Sequence, residues 1–257
     1  MNNVLIRIMG WKAMVLHGDP LQLDRWNWLK RRLAPGALRT LDAGCGSGVY
    51  TMYAATLGND SIGISSDKTN NGNAEYRAAI LRIPNVKFIT ADLRDLKKLK
   101  PEIGLFDQII CLDTIEHIKN DEKLIEAFSS LLVPGGRIFL TTFYKNYKHL
   151  VNDKISENED GGHVRWGYTH EEIKILLAKH DIHIETVEYI SGFISQQLTN
   201  AARLLGKINK KFAWAVTSPF KILQIFDPPI TSLIGYPYSG IAVTGIKRKR
   251  WSPSRPN

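Results

Sequence analysis

From Leu38 to Thr142 the chain alternates short apolar runs with segments of helical periodicity, and that alternation restricts its fold more than any other feature. Leu38–Ala43, Ser61–Ser65, Val86–Thr90, Phe106–Leu112 and Arg137–Thr142 read as strands. Helices are expected at Val49–Leu57, at Lys68–Arg82, closed by Pro84, and at Asp121–Leu132, stopped by Pro134-Gly135-Gly136. Phe106–Leu112 ends in a continuous apolar run, as a parallel strand buried on both faces requires. Strands that alternate with helices form an open, mainly parallel sheet covered on both sides. Such sheets bind ligands beyond the carboxyl ends of their strands, near the point where strand order reverses. Function is therefore expected from the residues that follow the first four strands.

The flanking segments extend this pattern. Residues 20–33 have Leu23, Trp26, Leu29 and Leu33 at helical spacing, ended by Pro35-Gly36. After Thr169 come a helix, Glu171–His180, a strand, Ile182–Ile190, and a final strand, Ile241–Ile246. Ser191–Gly240 is far too long for a hairpin turn, and one stripe of it carries Ile194, Leu198, Ala201, Leu205 and Ile208. Four units are expected: a helical cap over 1–37, a core over 38–190, a helical, lid-like insertion over 191–240, and a last strand with a basic tail over 241–257.

The string Leu41-Asp42-Ala43-Gly44-Cys45-Gly46-Ser47-Gly48 follows the first strand and opens a helix. Its glycines let the backbone turn sharply and let a ligand lie against peptide groups with no Cβ between. A dinucleotide turn would need Gly-x-Gly-x-x-Gly, and here the third glycine arrives one residue early. The string, with the strand ends that follow it to about residue 190, resembles the class I methyltransferases. The likeness is greatest to their small-molecule branch (methyltransferase type 11, ubiquinone-biosynthesis-like).

This resemblance implies a Rossmann-like, doubly wound α/β sheet of seven mainly parallel strands, the last antiparallel, with a helical insertion before it. It implies S-adenosyl-L-methionine as cofactor and S-adenosyl-L-homocysteine as product. It also implies cofactor contacts from Asp42, Gly44, Cys45, Gly46, Gly48, Asp92, Leu93, Cys111 and Asp113. In that pattern Asp92 accepts from the adenine amine and Leu93 flanks the ring. One position departs from it. The family's acid at the end of the second strand, which grips the ribose hydroxyls, is replaced by Ser65, with Asp67 two residues on. The ribose contact is assigned to these two.

Methyl transfer from a sulfonium needs alignment and exclusion of water more than it needs chemistry from the protein. A hydroxyl acceptor can also use a nearby base. Asp113-Thr114-Ile115-Glu116-His117-Ile118 resembles the Leu-Glu-His segment of small-molecule methyltransferases, which makes His117 the candidate base and Glu116 its orienter. The alternative is that Glu116 supports the next helix and His117 shapes the pocket floor. In the loop before Thr169, His163 and Tyr168 join Arg165 as candidate substrate contacts, with loop-pinning as the alternative for His163. Thr169 and Glu172 have the spacing of a capping box.

Composition narrows the class. The hydrophobic fraction of 44% and charged fraction of 23% are those of a globular protein. Two cysteines, Cys45 and Cys111, make no disulfide framework, and no Cys/His spacing suggests a metal. No run of roughly 18 apolar residues and no signal-peptide pattern is found, so a cytoplasmic location is expected. The net charge of +9 is concentrated: ten Lys and Arg lie from Ser191 onward against one acid, Asp227, while the remainder is balanced. With the apolar insertion and Lys247-Arg248-Lys249-Arg250, that charge allows peripheral membrane contact. Nucleic acid is not the expected partner: Asp227-Pro228-Pro229-Ile230 lies far from the fourth strand, lacks the aromatic of a base-methylating motif, and is expected to be a turn. The expected acceptor is small and fairly apolar, a lipid, isoprenoid or natural-product intermediate methylated on oxygen or carbon. The competing functions are methylation of nitrogen, sugar or RNA, and a non-catalytic cofactor-binding subunit.

Overall fold

The computed structural model describes residues 3–147 and 155–248. Seven strands form one sheet in the order β3-β2-β1-β4-β5-β7-β6. They are β1 (Arg39–Ala43), β2 (Asp60–Ser65), β3 (Val86–Thr90), β4 (Phe106–Leu112), β5 (Leu132–Phe143), β6 (Ile182–Ile190) and β7 (Gly240–Lys247). Strands β1 to β5 pair in parallel, and β7 runs antiparallel between β5 and β6. Strand order reverses between β1 and β4, so the chain leaves the sheet in opposite directions at their carboxyl ends.

The period-2 alternation of the strands supplies a core on each side of the sheet. Ile109, Cys111, Ile138 and Leu140 face one side, packed with Phe128 and Leu131 of α7 (Asp121–Leu131) and Ile173 and Leu177 of α8 (His170–Ala178). Ile110 and Phe139 face the other, where they meet Trp28 and Leu29 of α3 (Pro20–Leu29) and Met52 of α4 (Val49–Thr56). Phe139 and Trp28 meet edge to face, with ring centroids 6.3 Å apart. Within the expected helical cap, α1 (Asn3–Met9) and α2 (Lys12–His17) precede α3, and α2 contributes Met14 and Val15 to this second core. Asp19 caps α3 by accepting from Leu21 N, with Pro20 at the first helical position.

The middle strands follow the sequence closely, whereas the connections differ. After α5 (Lys68–Ile80) and β3, a short helix not expected from the sequence, α6 (Leu96–Ile103), sets Leu96, Leu99 and Ile103 at helical spacing against the core. Strand β5 begins at Leu132, before the Pro134-Gly135-Gly136 expected to separate helix from strand. Leu132 pairs with Phe106 and Arg137 with Gln108, so the intervening residues form a bulge, with Gly135 at φ +86°.

The expected helical insertion is made of several short helices. It contains α9 (Phe193–Gly206), α10 (Lys210–Thr217), a 3-10 helix over Pro219–Phe226 and α11 (Asp227–Leu233). Asp227-Pro228-Pro229 is therefore not a free turn. The prolines start α11, and the buried Asp227 carboxylate accepts from the backbone of Gly192, Ile194 and Ser195, capping α9 from a different element.

Candidate active site

Four strand ends enclose a cleft of about 460 Å³. It is lined by Gly44 and Gly46 after β1, Ser65 and Asp67 after β2, Asp92 and Leu93 after β3, and Asp113 and His117 after β4. The loop from Gly44 to Gly48 is tied to the sheet, because the amides of Gly44 and Cys45 both donate to the carbonyl of Ile64, at 2.9 and 3.0 Å. The two lining glycines differ in purpose. A Cβ on Gly44 would come within 2.3 Å of the Thr114 hydroxyl, so this glycine permits the close approach of the loops after β1 and β4. Gly46, at φ +50°, has no atom within 4 Å of that position and turns bare backbone toward open space.

Not every expected contact faces the cleft. Gly48 caps α4, and a Cβ there would strike Ala74 and Phe88, so packing explains it. Asp42 is buried beneath the loop, accepts from the Thr51 hydroxyl at 2.6 Å, and has its carboxyl pushed up to about 6 by burial. Cys45 is buried against Asn71, 3.6 Å from its side-chain oxygen, and burial raises its thiol well above the ordinary range. Cys111 alternates into the apolar core, fully buried. These four hold the loop and sheet in shape and do not line the cleft.

On the ribose side, Ser65 Oγ accepts from the Asp67 amide, and Asp67 Oδ1 caps α5 by accepting from Thr69 N and Asn70 N at 2.8 and 3.0 Å. Both remain at the cleft wall. Asp92 accepts from the amide and the guanidinium of Arg94, which lowers its carboxyl below the ordinary carboxylate range. Arg94 also reaches Glu159 at 2.8 Å, and Glu159 accepts from the Lys119 amide at 2.6 Å. Thus an Asp92–Arg94–Glu159 chain spans the cleft from β3 to the loop before α8. Asp113, at φ +45°, accepts from Thr141 at 2.8 Å and forms an ion pair with Arg25 of α3. Arg25, Arg94 and Glu159 were not legible as site residues: Arg25 reaches Asp113 from another element, and Arg94 meets Glu159 across 65 residues.

His117 lies in a 3-10 turn, Ile115–His117, and its Nδ1 is 3.0 Å from the carbonyl of Gly162. A carbonyl only accepts, so Nδ1 carries the hydrogen and the neutral ring keeps its lone pair on Nε2. The orienter is this carbonyl rather than the expected Glu116. Turning away from the cleft, Glu116 is fully buried, and Oε2 accepts from the Thr142 hydroxyl at 3.1 Å. Its Oε1 has no hydrogen-bond partner among the described residues. Burial, then the Asp113 charge, raises its carboxyl well above the ordinary range.

His163 packs on His117, ring centroids 4.6 Å apart, and on Phe143 at 5.1 Å. Ligand atoms of Glu116, His117 and His163 lie within 4.8 Å of one another, a set able to hold a metal ion. Tyr168 is elsewhere. Its hydroxyl donates to Asp121 at 2.7 Å, Arg165 pairs with the same carboxylate, and both border a separate cavity of about 590 Å³. They fasten the loop to the start of α7. Thr169 and Glu172 form the expected capping box of α8.

The cleft suits the cofactor expected from the resemblance. Gly46 leaves a cradle that any side chain would fill, Ser65 and Asp67 offer acceptors for hydroxyls, and Leu93 and Ile118 offer apolar walls. A volume of about 460 Å³ is within the usual span of small-molecule sites, about 300–1,000 Å³. An adenine amine would compete with Arg94 for Asp92.

Comparison with known proteins bears on the family and the fold. Residues 24–187 match the model of a methyltransferase domain. The chain is 30% identical over 130 residues to a ubiquinone biosynthesis O-methyltransferase of Dechloromonas aromatica (strain RCB), an alignment covering 51% of this chain and 53% of that one. It is 29% identical over 130 residues, with the same coverage, to the enzyme of that name from Chromobacterium violaceum. The chain thus spans about half the length of the curated relatives it matches. In fold it is similar to Haemonchus contortus phosphoethanolamine N-methyltransferase 2 in complex with S-adenosyl-L-methionine, with a TM-score of 0.61 and 19% identity over 94% of this chain and 57% of that one. It is similar also to the [4+2]-cyclase SpnF, with a TM-score of 0.58 and 19% identity over 88% and 81%. The second likeness shows that the fold alone does not fix the reaction. By the domain match and the strand-end pattern, the chain belongs to the class I S-adenosylmethionine-dependent methyltransferase family.

Proposed function

We propose that this chain transfers a methyl group from S-adenosyl-L-methionine to a small, fairly apolar acceptor, on oxygen in the first instance, with His117 as general base. The observation that carries this proposal is the Nδ1 bond of His117 to the Gly162 carbonyl at the wall of the cleft. When bound, the cofactor supplies a methyl carbon already activated by a sulfonium. The Gly44–Gly46 loop and Leu93 hold it, and Ser65 and Asp67 take its hydroxyls. His117 Nε2 receives the proton that an acceptor hydroxyl loses as its oxygen forms the new bond. His163, edge-on to His117, and Phe143, tilted against His163, would border the acceptor. Glu116, its carboxyl raised by burial and the Asp113 charge, lies beneath the site and bonds to Thr142 rather than to the acceptor seat.

Isothermal titration with S-adenosyl-L-methionine and an activity screen on hydroxylated lipid, isoprenoid and phenolic acceptors test this. Binding should be lost in Gly46→Arg, which fills the cradle. His117→Ala should bind the cofactor unchanged and lose about 10²–10⁴-fold in kcat, with the base limb of the pH profile removed. Full activity of His117→Ala on a hydroxyl acceptor rejects the base assignment. Cofactor binding with no activity on any acceptor favours a non-catalytic subunit.

A further inference from the structure

The segment between β6 and β7 is built inside out. Its inward stripe is polar: Ser195, Gln196 and Thr199 of α9, Lys221 and Gln224 of the 3-10 helix, and Asp227 and Thr231 of α11 are all buried. These groups are satisfied largely by hydrogen bonds to backbone. Lys221 Nζ donates to the carbonyls of Leu16 and Gly18 at 2.7 and 2.6 Å. Gln224 Nε2 lies within 3.0 Å of Pro20 O, Asp24 Oδ1 and Ser195 Oγ. Asp227 takes the amides that begin α9.

The outward stripe is apolar. Of nineteen large hydrophobic side chains exposed among the described residues, eleven fall within 204–234. Leu233 is 86% exposed, Ile208 80%, Ile222 69% and Ile225 67%, with Phe212 and Phe220 about half exposed. Scattered exposed hydrophobics are normal, but a concentrated set over a polar interior marks a surface that water does not normally cover.

Charge identifies what covers it. Arg203, Lys207, Lys210 and Lys211 are exposed at the end of α9 and start of α10, and the segment's one acid, Asp227, is buried. A second copy docked face to face through a two-fold axis would set this cationic rim against its own image. An anionic lipid surface instead accepts the apolar side chains and neutralises the rim. No helix among the described residues is long and apolar enough to cross a membrane, so the contact is with the surface.

We propose that α10, the 3-10 helix and α11 form a docking face for a lipid surface bearing anionic head groups, with Lys207, Lys210 and Lys211 at its rim. This stands independently of the methyl-transfer proposal, because lipid binding can be measured without turnover. The test is co-sedimentation of the full chain with phosphatidylcholine vesicles, with and without phosphatidylglycerol, at low and high salt. The chain should pellet with the anionic vesicles and be released by salt. Each rim cation is worth roughly a fivefold change in partitioning, so Lys210→Glu with Lys211→Glu should weaken binding by about 25-fold or more. Ile222→Ser with Ile225→Ser should weaken it by about tenfold. Both pairs are exposed, and an unchanged thermal midpoint and cofactor affinity would show the fold intact. Three results would each overturn the proposal: no pelleting with either vesicle, equal partitioning onto both, or a solution dimer that Ile222→Ser with Ile225→Ser converts to monomer while vesicle binding is absent.

Discussion

The sheet core and the segment between β6 and β7 use the same kinds of side chain with opposite orientation. In the core, Phe139 and Ile110 are sealed from water while the charged residues of α5 and α7 face outward. In the insertion, Lys221, Gln224 and Asp227 are sealed, and Ile222, Ile225 and Leu233 face outward. The first arrangement is held by apolar burial, which is non-directional and tolerates some repacking. The second depends on directional bonds that must each be satisfied. The core is thus held by packing, and the insertion by hydrogen bonds to the segment around α3, which leaves its apolar side chains on the outside.

Substitutions that exchange these roles separate the two regions. Phe139→Ala should have the largest effect on stability, about 3–5 kcal/mol by denaturant titration, because it leaves a cavity against Trp28. Asp227→Ala should come next, at about 2–4 kcal/mol, because it strands the amides of Gly192, Ile194 and Ser195. An apolar-driven insertion would lose almost nothing from that change, and such a result would break the comparison. Glu116→Gln should act through pH. The folded carboxyl titrates above its ordinary value of 4.5, so its stabilising share is full below pH 4.5 and is lost as pH rises through the folded value. Glutamine does not titrate, so the variant should gain on the native chain by up to about 1.4 kcal/mol per pH unit across that interval. Ile225→Ser should have the smallest effect, within about 0.5 kcal/mol, although the same exchange in the core would be severe.

How much could be read from the chain follows the same division. The bounds of β3, β4 and β6 match those expected, since a buried strand writes its pattern into consecutive residues. The strand ends were placed together for the same reason, and Gly44, Ser65, Asp92 and His117 do share one cleft. What the pattern does not carry is direction and distance. The stripe of α9 was visible, but periodicity cannot say which side of a helix faces inward when both alternatives alternate equally well. Leu198 and Leu205 are half-buried while Ile208 stands in the open. Likewise Glu116 adjoins His117 in sequence, yet the partner of His117 is a carbonyl 45 positions away. The Arg25–Asp113 pair joins α3 to the turn after β4 and has no local trace at all.

The bond between His117 and Gly162 has one more consequence. The loop that supplies the carbonyl also carries Glu159, and through Arg94 it straps the cleft to β3. One short loop thus touches the imidazole at one end of the cleft and, through Arg94, the Asp92 carboxylate at the other, so a substitution that breaks the Arg94–Glu159 pair would be felt at both ends.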